Sequence, residues 1–144
     1  MNRRDFIKAT AFAGTLPLFH IGCANFGLSR NRQIAKGDKI RVALIGCGIQ
    51  TRCMIDGVLC ENLAAIVDPD PARFDVLEKY VANTCSAADR ANFASARRFA
   101  TYQDMFDAMG DEIDAIVVET PNHQHVLPAV MAIRRGIHVY LDKP

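Results

Sequence analysis

An α/β fold with a doubly wound parallel sheet is predicted by three observations on this sequence. An apolar, β-branched run over residues 40–45 leads directly into Gly46-Cys47-Gly48, and a helical pattern follows this turn. A second apolar run ends at Asp68, 20 residues beyond Gly48. Strand-like and helix-like segments then alternate to the last residue, which is typical of parallel strands joined by crossover helices. The predicted sheet is of the Rossmann type and is incomplete at its C-terminal end.

The remaining elements follow in order along the chain. Residues 72–81 are predicted to form a helix with Phe74, Leu77 and Val81 on one face, whereas the polar stretch 83–98 has no clear periodicity. The later segments are a short strand at 98–101, a helix at 104–109 ended by Gly110, a central strand in IDAIVVET, a helix over 125–135 ended by Gly136, and a strand in IHVYL. In the helix over 125–135, the apolar residues at helical spacing are Val126, Leu127, Val130, Met131 and Ile133.

The turn after the first strand has the residues of a dinucleotide-binding site. Gly46 permits a tight turn, and Gly48 lets the backbone approach a pyrophosphate held at the N-terminus of the following helix, where Ile49 also lies. The third position of the fingerprint holds Thr51 in place of Gly or Ala, a departure at the point where helix and strand pack closely.

Asp68 lies where such folds bind the adenosine ribose of the cofactor. Its carboxylate would accept hydrogen bonds from the ribose hydroxyls and would repel a 2′-phosphate, which favours NAD over NADP. Arg73 is close enough in sequence to leave NADP open as an alternative. A second interpretation is that Asp68 only caps the helix that begins near residues 69–72.

Composition excludes several classes of site. The chain has 144 residues, 50% of them hydrophobic and 23% charged, with a formal net charge of +1, so it offers no broad basic surface to nucleic acid. Its five cysteines include no C-x-x-C pair and no nearby histidine at metal-ligand spacing. We therefore expect no metal site and no disulfide framework, and we interpret the cysteines as small buried hydrophobic residues.

The first 30 residues are typical of an export signal. Arg3, Arg4 and Lys8 precede a stretch without charged side chains over residues 9–29, and the opening RRDFIK resembles the twin-arginine signal, which implies a twin-arginine translocase as partner and a periplasmic location. The alternatives are an ordinary secretory signal or an N-terminal anchor. Polar and proline residues weaken the anchor, so no stable membrane span is expected. Cleavage is expected after Ala24, and lipidation of Cys23 is a further alternative.

Two motifs near the end of the chain resemble those of the Gfo/Idh/MocA oxidoreductases, the family of glucose-fructose oxidoreductase and inositol dehydrogenase. They are Thr120-Pro121-x-x-x-His125 and Asp142-Lys143-Pro144, and the likeness covers residues 39–144 as the nucleotide-binding domain. It implies that Thr120, Pro121 and Asn122 face the nicotinamide ribose and that His125 lies near the cofactor. It further implies that Lys143 contacts the cofactor and is the catalytic lysine, which hydrogen-bonds the substrate hydroxyl. Asp142 stands where the family has Glu.

The resemblance implies a function for the parent protein, which is expected to transfer hydride from a sugar or cyclitol hydroxyl and to form a homo-oligomer. The family's substrate domain is absent from this sequence, so we expect a truncated chain that is itself inactive. One alternative is a glycosidase of the same fold that oxidises its sugar transiently. Another is a nucleotide-binding remnant without catalysis.

Overall fold

The computed structural model describes residues 34–142. The predicted signal at residues 1–30, Cys23 within it, and the proposed catalytic Lys143 lie outside the described residues. Within residues 34–142, no helix combines the length and the apolar character needed to cross a bilayer.

Five strands and five α-helices follow one another along the described chain. The strands are β1 (Arg41–Ile45), β2 (Asn62–Val67), β3 (Arg97–Phe99), β4 (Ala115–Val118) and β5 (His138–Leu141). The helices are α1 (Thr51–Leu59), α2 (Pro71–Thr84), α3 (Ala87–Ser95), α4 (Tyr102–Met109) and α5 (Val126–Arg134), and a 3₁₀ turn covers Asn122–Gln124.

All strand pairs of the sheet are parallel, and the strand order is β3-β2-β1-β4-β5. β2 and β3 lie on one side of β1, and β4 and β5 lie on the other side. The order therefore reverses between β1 and β4, which is the point where open α/β sheets bind ligands. The predicted fold class, a Rossmann-type doubly wound sheet, is confirmed.

The side chains of β1 alternate between two separate apolar layers. Val42 and Leu44 pack in a cluster with residues of α1, α2 and α3, whereas Ala43 and Ile45 pack in a second cluster with residues of α4 and α5. Because both faces of the strand are covered, it is apolar from Val42 to Ile45. This explains why the strand was predictable from the sequence.

Two sets of side-chain hydrogen bonds connect elements at the amino ends of the strands. The buried carboxylate of Asp114 accepts hydrogen bonds from the Arg41 backbone N–H at 2.8 Å and from the Arg41 guanidinium at 3.2 and 3.1 Å. The Asn92 amide group donates to the carbonyls of Leu59 and Glu61, and its oxygen accepts from the Leu63 N–H. Asn92 therefore docks α3 on the loop between α1 and β2.

Candidate functional site

A cleft lies at the carboxyl ends of β1, β2 and β4. Its volume is about 590 Å³. Its lining comes from the glycine turn after β1, the end of β2, the β3–α4 connection and the end of β4. The lining residues are Ile45, Gly46, Gly48, Ile49, Val67, Asp68, Pro69, Arg73, Ala100, Thr101, Tyr102, Gln103, Glu119, Thr120, Pro121 and Gln124.

Gly46 holds the backbone turn at the floor of this cleft. Its φ angle is +99°, a conformation that side chains with a Cβ rarely adopt. A Cβ built on Gly46 would lie 2.5 Å from the carbonyl oxygen of Glu119, at the end of β4. The Gly46 N–H donates to the Val67 carbonyl at 2.8 Å, so the turn is fixed between its neighbours on both sides.

Gly48 has the opposite surroundings. A Cβ built on Gly48 would meet no protein atom within 4 Å, although the residue lines the cleft. No contact with protein atoms therefore requires a glycine at position 48. Space above a glycine at the start of a helix is what a closely approaching phosphate group requires.

The departure at Thr51 does not loosen the packing of α1 on the sheet. Thr51 is fully buried, and its hydroxyl donates a hydrogen bond to the carbonyl oxygen of Gly46 at 2.9 Å. The hydroxyl satisfies a backbone acceptor in the turn and ties the first turn of α1 to it. Thr51 thus replaces the small residue of the usual fingerprint with a specific hydrogen bond.

The carboxylate of Asp68 connects two turns at the edge of the cleft. One oxygen accepts from the Cys47 N–H at 2.8 Å, and the other accepts from the Asp70 N–H at 2.9 Å. The N-cap of α2 is Asp70, which accepts from the Ala72 N–H at 3.0 Å. The alternative that Asp68 caps this helix is therefore wrong. Arg73 lies 3.6 Å from the Asp70 carboxylate.

The cysteines differ more than expected. Cys47, within the glycine turn, is buried, and its burial together with the nearby negative charge of Asp68 raises the pKa of its thiol to about 12 against the opposing effect of Arg98. Cys53 and Cys60, however, are exposed. The expectation of buried cysteines is wrong for these two, because they lie on the side of α1 and its C-terminal end that faces away from the sheet. Among residues 34–142 no cluster of three metal-ligating side chains is present.

The opposite wall of the cleft contains part of the Thr120 to His125 motif. Thr120 and Pro121 line the cleft, whereas Asn122 and His125 do not. Asn122 begins the 3₁₀ turn, and its carbonyl accepts from the His125 N–H at 3.3 Å. His125 is buried, and its Nε2 pairs with the Thr120 carbonyl oxygen. This places His125 behind the wall, where it orients Thr120.

Glu119 is one of the cleft residues that the sequence patterns did not predict. It follows the last residue of β4, lines the cleft and is only 8% exposed. Its Oε1 and the hydroxyl oxygen of Thr120 are buried without a hydrogen-bond partner among the described residues. Burial raises the pKa of the Glu119 carboxyl above its usual range, the charge of Asp142 adds to this effect, and His125 opposes it. The only signal in the sequence was a carboxylate closing a strand that is otherwise apolar.

These features fit a dinucleotide lying across the cleft. The open space above Gly48 suits the pyrophosphate, and Asp68 lies on the β2 side, where the adenosine ribose would bind. The unpartnered polar atoms of Glu119 and Thr120 lie on the β4 side and would meet the nicotinamide half. Unsatisfied polar groups in a buried position are rare in proteins, and a hydroxyl or amide of a bound dinucleotide would supply the missing partners.

Comparison with known proteins agrees with this geometry. Residues 40–144 match the Gfo/Idh/MocA family model, described as an oxidoreductase family with an NAD-binding Rossmann fold. The WlbA dehydrogenase from Bordetella pertussis, whose crystal structure contains NADH and UDP-GlcNAcA, is 29% identical with a TM-score of 0.56, over 74% of this chain and 29% of that one. Myo-inositol 2-dehydrogenase from Lactobacillus plantarum, at 22% identity and a TM-score of 0.58 over the same shares, shares the fold.

A relative of a different named activity is also similar. A glycosyl hydrolase family 109 protein from Shewanella pealeana is 27% identical over 165 aligned positions, which cover 100% of this chain and 34% of that protein. The chain thus spans about a third of the length of these relatives.

Proposed function

Because the chain belongs to the Gfo/Idh/MocA oxidoreductase family, with its NAD-binding Rossmann fold, we propose that it is the nucleotide-binding half of an NAD-dependent enzyme that oxidises a sugar or cyclitol hydroxyl. The observation that carries the proposal is the pair of glycines at the cleft. Gly46 is required by the protein's own backbone, whereas Gly48 lines the cleft with open space above it, as a closely approaching phosphate group requires.

The chain's residues divide the work of holding the cofactor. Gly48 and Ile49 would receive the pyrophosphate at the start of α1, and Asp68 would face the adenosine ribose, while Thr120 and Pro121 would face the nicotinamide ribose. Bound NAD supplies the acceptor for a hydride from the carbinol carbon. Lys143, which follows Asp142 in the sequence, would hydrogen-bond the substrate hydroxyl and, in its neutral form, take up the proton as the hydride leaves.

Hydride transfer also requires a site closed to water, with the reacting carbons held at short distance. The cleft opens along the carboxyl edge of the sheet, and its lining comes from the nucleotide-binding elements alone. We therefore expect these 144 residues to bind NAD without oxidising a sugar. Catalytic activity and subunit assembly are proposed only for a longer protein that contains them.

Nucleotide choice tests this proposal. Titration of the purified chain should give a dissociation constant for NAD at least about tenfold lower than for NADP, because the Asp68 carboxylate repels a 2′-phosphate. Absorbance at the wavelength of reduced nicotinamide should not rise when sugars or cyclitols are added. Equal affinity for both nucleotides, or steady reduction of NAD, would contradict the proposal.

A second candidate is a glycosidase that oxidises its sugar transiently and returns the hydride after elimination. The similarity to the family 109 glycosyl hydrolase over the whole chain favours it. The two candidate functions can be distinguished by assaying a protein that contains these residues and has the full length of the relatives. Release of the aglycone from aryl glycosides without added NAD would support the glycosidase, and net formation of NADH from a free sugar would support the dehydrogenase.

From the N-terminal sequence we also propose that the protein is exported by the twin-arginine route to the periplasm. Its support is the Arg3-Arg4 pair and the uncharged stretch behind it. Mass spectrometry of the chain recovered from the periplasmic fraction should find a mature N-terminus directly after Ala24. An acylated Cys23 would instead support a lipid anchor, and an intact N-terminus in the cytoplasm would contradict export.

A further inference from the structure

We propose that Glu119 is a specificity-determining residue that makes the cleft favour the oxidised form of the dinucleotide, whose nicotinamide ring is positively charged, over the reduced form. This inference rests on the proposed function, since it requires that the cleft binds a nicotinamide dinucleotide. It assigns a role to a side chain that lies outside both sequence motifs of the site.

The position of Glu119 is the first step. It follows β4 on the far side of the reversal point from Asp68 and Arg73, so it belongs to the nicotinamide half of the cleft. Its backbone carbonyl packs against Gly46, which fixes the main chain at this point. The side chain is buried, yet its Oε1 has no hydrogen-bond partner among the described residues.

The charges around Glu119 are the second step. Asp142, at the end of the adjacent strand β5, is a like charge, and the buried His125, directly before α5, is the group that favours ionisation. Lys143 lies outside the described residues. Burial and Asp142 together raise the pKa of Glu119, so among residues 34–142 the charges near this carboxylate do not offset its burial.

The ligand is the third step. An oxidised nicotinamide ring carries one positive charge, and a reduced ring carries none. A positive charge near Glu119 would stabilise its ionised form and lower its pKa, whereas a neutral ring would not. Two unit charges several ångströms apart in a partly buried site interact strongly enough to change a binding constant by about tenfold or more. The carboxylate should therefore discriminate between the two oxidation states of one ligand.

The decisive experiment compares Glu119→Gln with the wild-type chain. Dissociation constants for NAD⁺ and NADH are measured by calorimetry at a fixed neutral pH. The variant keeps the size of the side chain and removes its charge, and we expect the ratio of NAD⁺ affinity to NADH affinity to fall about tenfold. The control is Glu112→Gln, the same chemical change at an exposed residue outside the cleft lining, and it should leave the ratio unchanged.

A second measurement needs no variant and stays valid if Glu119→Gln fails to fold. Because Glu119 in the free protein keeps its proton to a higher pH than an ordinary glutamate, NAD⁺ binding should release a proton as it lowers that pKa. NAD⁺ affinity should therefore rise with pH across the window between the bound and free pKa values. Calorimetry in two buffers of different ionisation enthalpy counts the protons, and NADH should release fewer.

The outcomes separate the inference from the function on which it rests. A wild-type chain that binds neither nucleotide would overturn the proposed function. A wild-type chain that binds both, with an affinity ratio unchanged in Glu119→Gln or with equal proton release for NAD⁺ and NADH, would overturn the role of Glu119 alone.

Discussion

Gly46→Ala should destabilise the folded domain by about 3 kcal/mol or more. The added methyl group would lie 2.5 Å from the Glu119 carbonyl oxygen and 2.8 Å from its carbonyl carbon, both of which are backbone atoms directly after β4. The φ angle of +99° is a second cause of strain, since the new residue must hold it or break the turn. Single domains are stable by only about 5–15 kcal/mol, so a large share of the stability would be lost.

Urea unfolding followed by circular dichroism measures this effect. The matched control is Gly48→Ala, two residues further on, where the new Cβ meets no protein atom within 4 Å. We expect the control to unfold near the wild-type midpoint. A Gly46→Ala variant with the wild-type midpoint would show that the contact between the glycine turn and the end of β4 is not as close as described.

Gly48→Ala should weaken NAD binding by about tenfold or more while the domain stays folded. The methyl group enters the space that the backbone leaves open above the start of α1, so the pyrophosphate can no longer approach the helix. The larger side chain of Gly48→Val should weaken binding further. Calorimetric titration with NAD measures the loss, and circular dichroism verifies the fold.

A glycine within the helix that follows Gly48 provides the control for this prediction. Gly57 lies within α1, and a Cβ built on it also meets nothing within 4 Å, but it does not line the cleft. Gly57→Ala should stabilise the helix by about 0.5–1 kcal/mol and leave the NAD affinity unchanged. If Gly48→Ala binds NAD as tightly as Gly57→Ala does, the pyrophosphate does not lie at this turn.

The elements that were predicted correctly are those whose local pattern and burial agree. Residues 42–45 of β1 and the whole of β4 are apolar because each strand is covered on both faces. Gly110 forms the C-cap of α4 as expected. In α5 the spacing predicted the helix correctly, but the residues that face inward are Pro128 and Ala132. Most of the large apolar residues of this helix are exposed.

Helix α3 was not predicted because its reason for folding is tertiary. Its interior side is formed by Phe93 and by the three hydrogen bonds of Asn92 to backbone groups at the end of α1 and the start of β2. A local signal was present, since Ser86 and Asp89 form a capping box at its start. Its short length and weak apolar periodicity hid that signal.

Only some residues of the site could be predicted from the sequence, and their contacts explain why. Gly46, Gly48, Ile49, Asp68, Thr120 and Pro121 come together in one cleft, because the carboxyl ends of parallel strands share one edge. The hydrogen bond of Thr51 and the burial of Glu119 depend on neighbours distant in sequence. Neither could be found from residue types and spacing.

Backbone hydrogen exchange in the presence and absence of NAD tests the central claim, that this cleft holds the dinucleotide, most directly. We predict slower exchange on NAD binding at residues 46–50 and 119–120, with no change on the exposed side of α5. Slower exchange confined to segments outside the cleft, or none at saturating NAD, would contradict it.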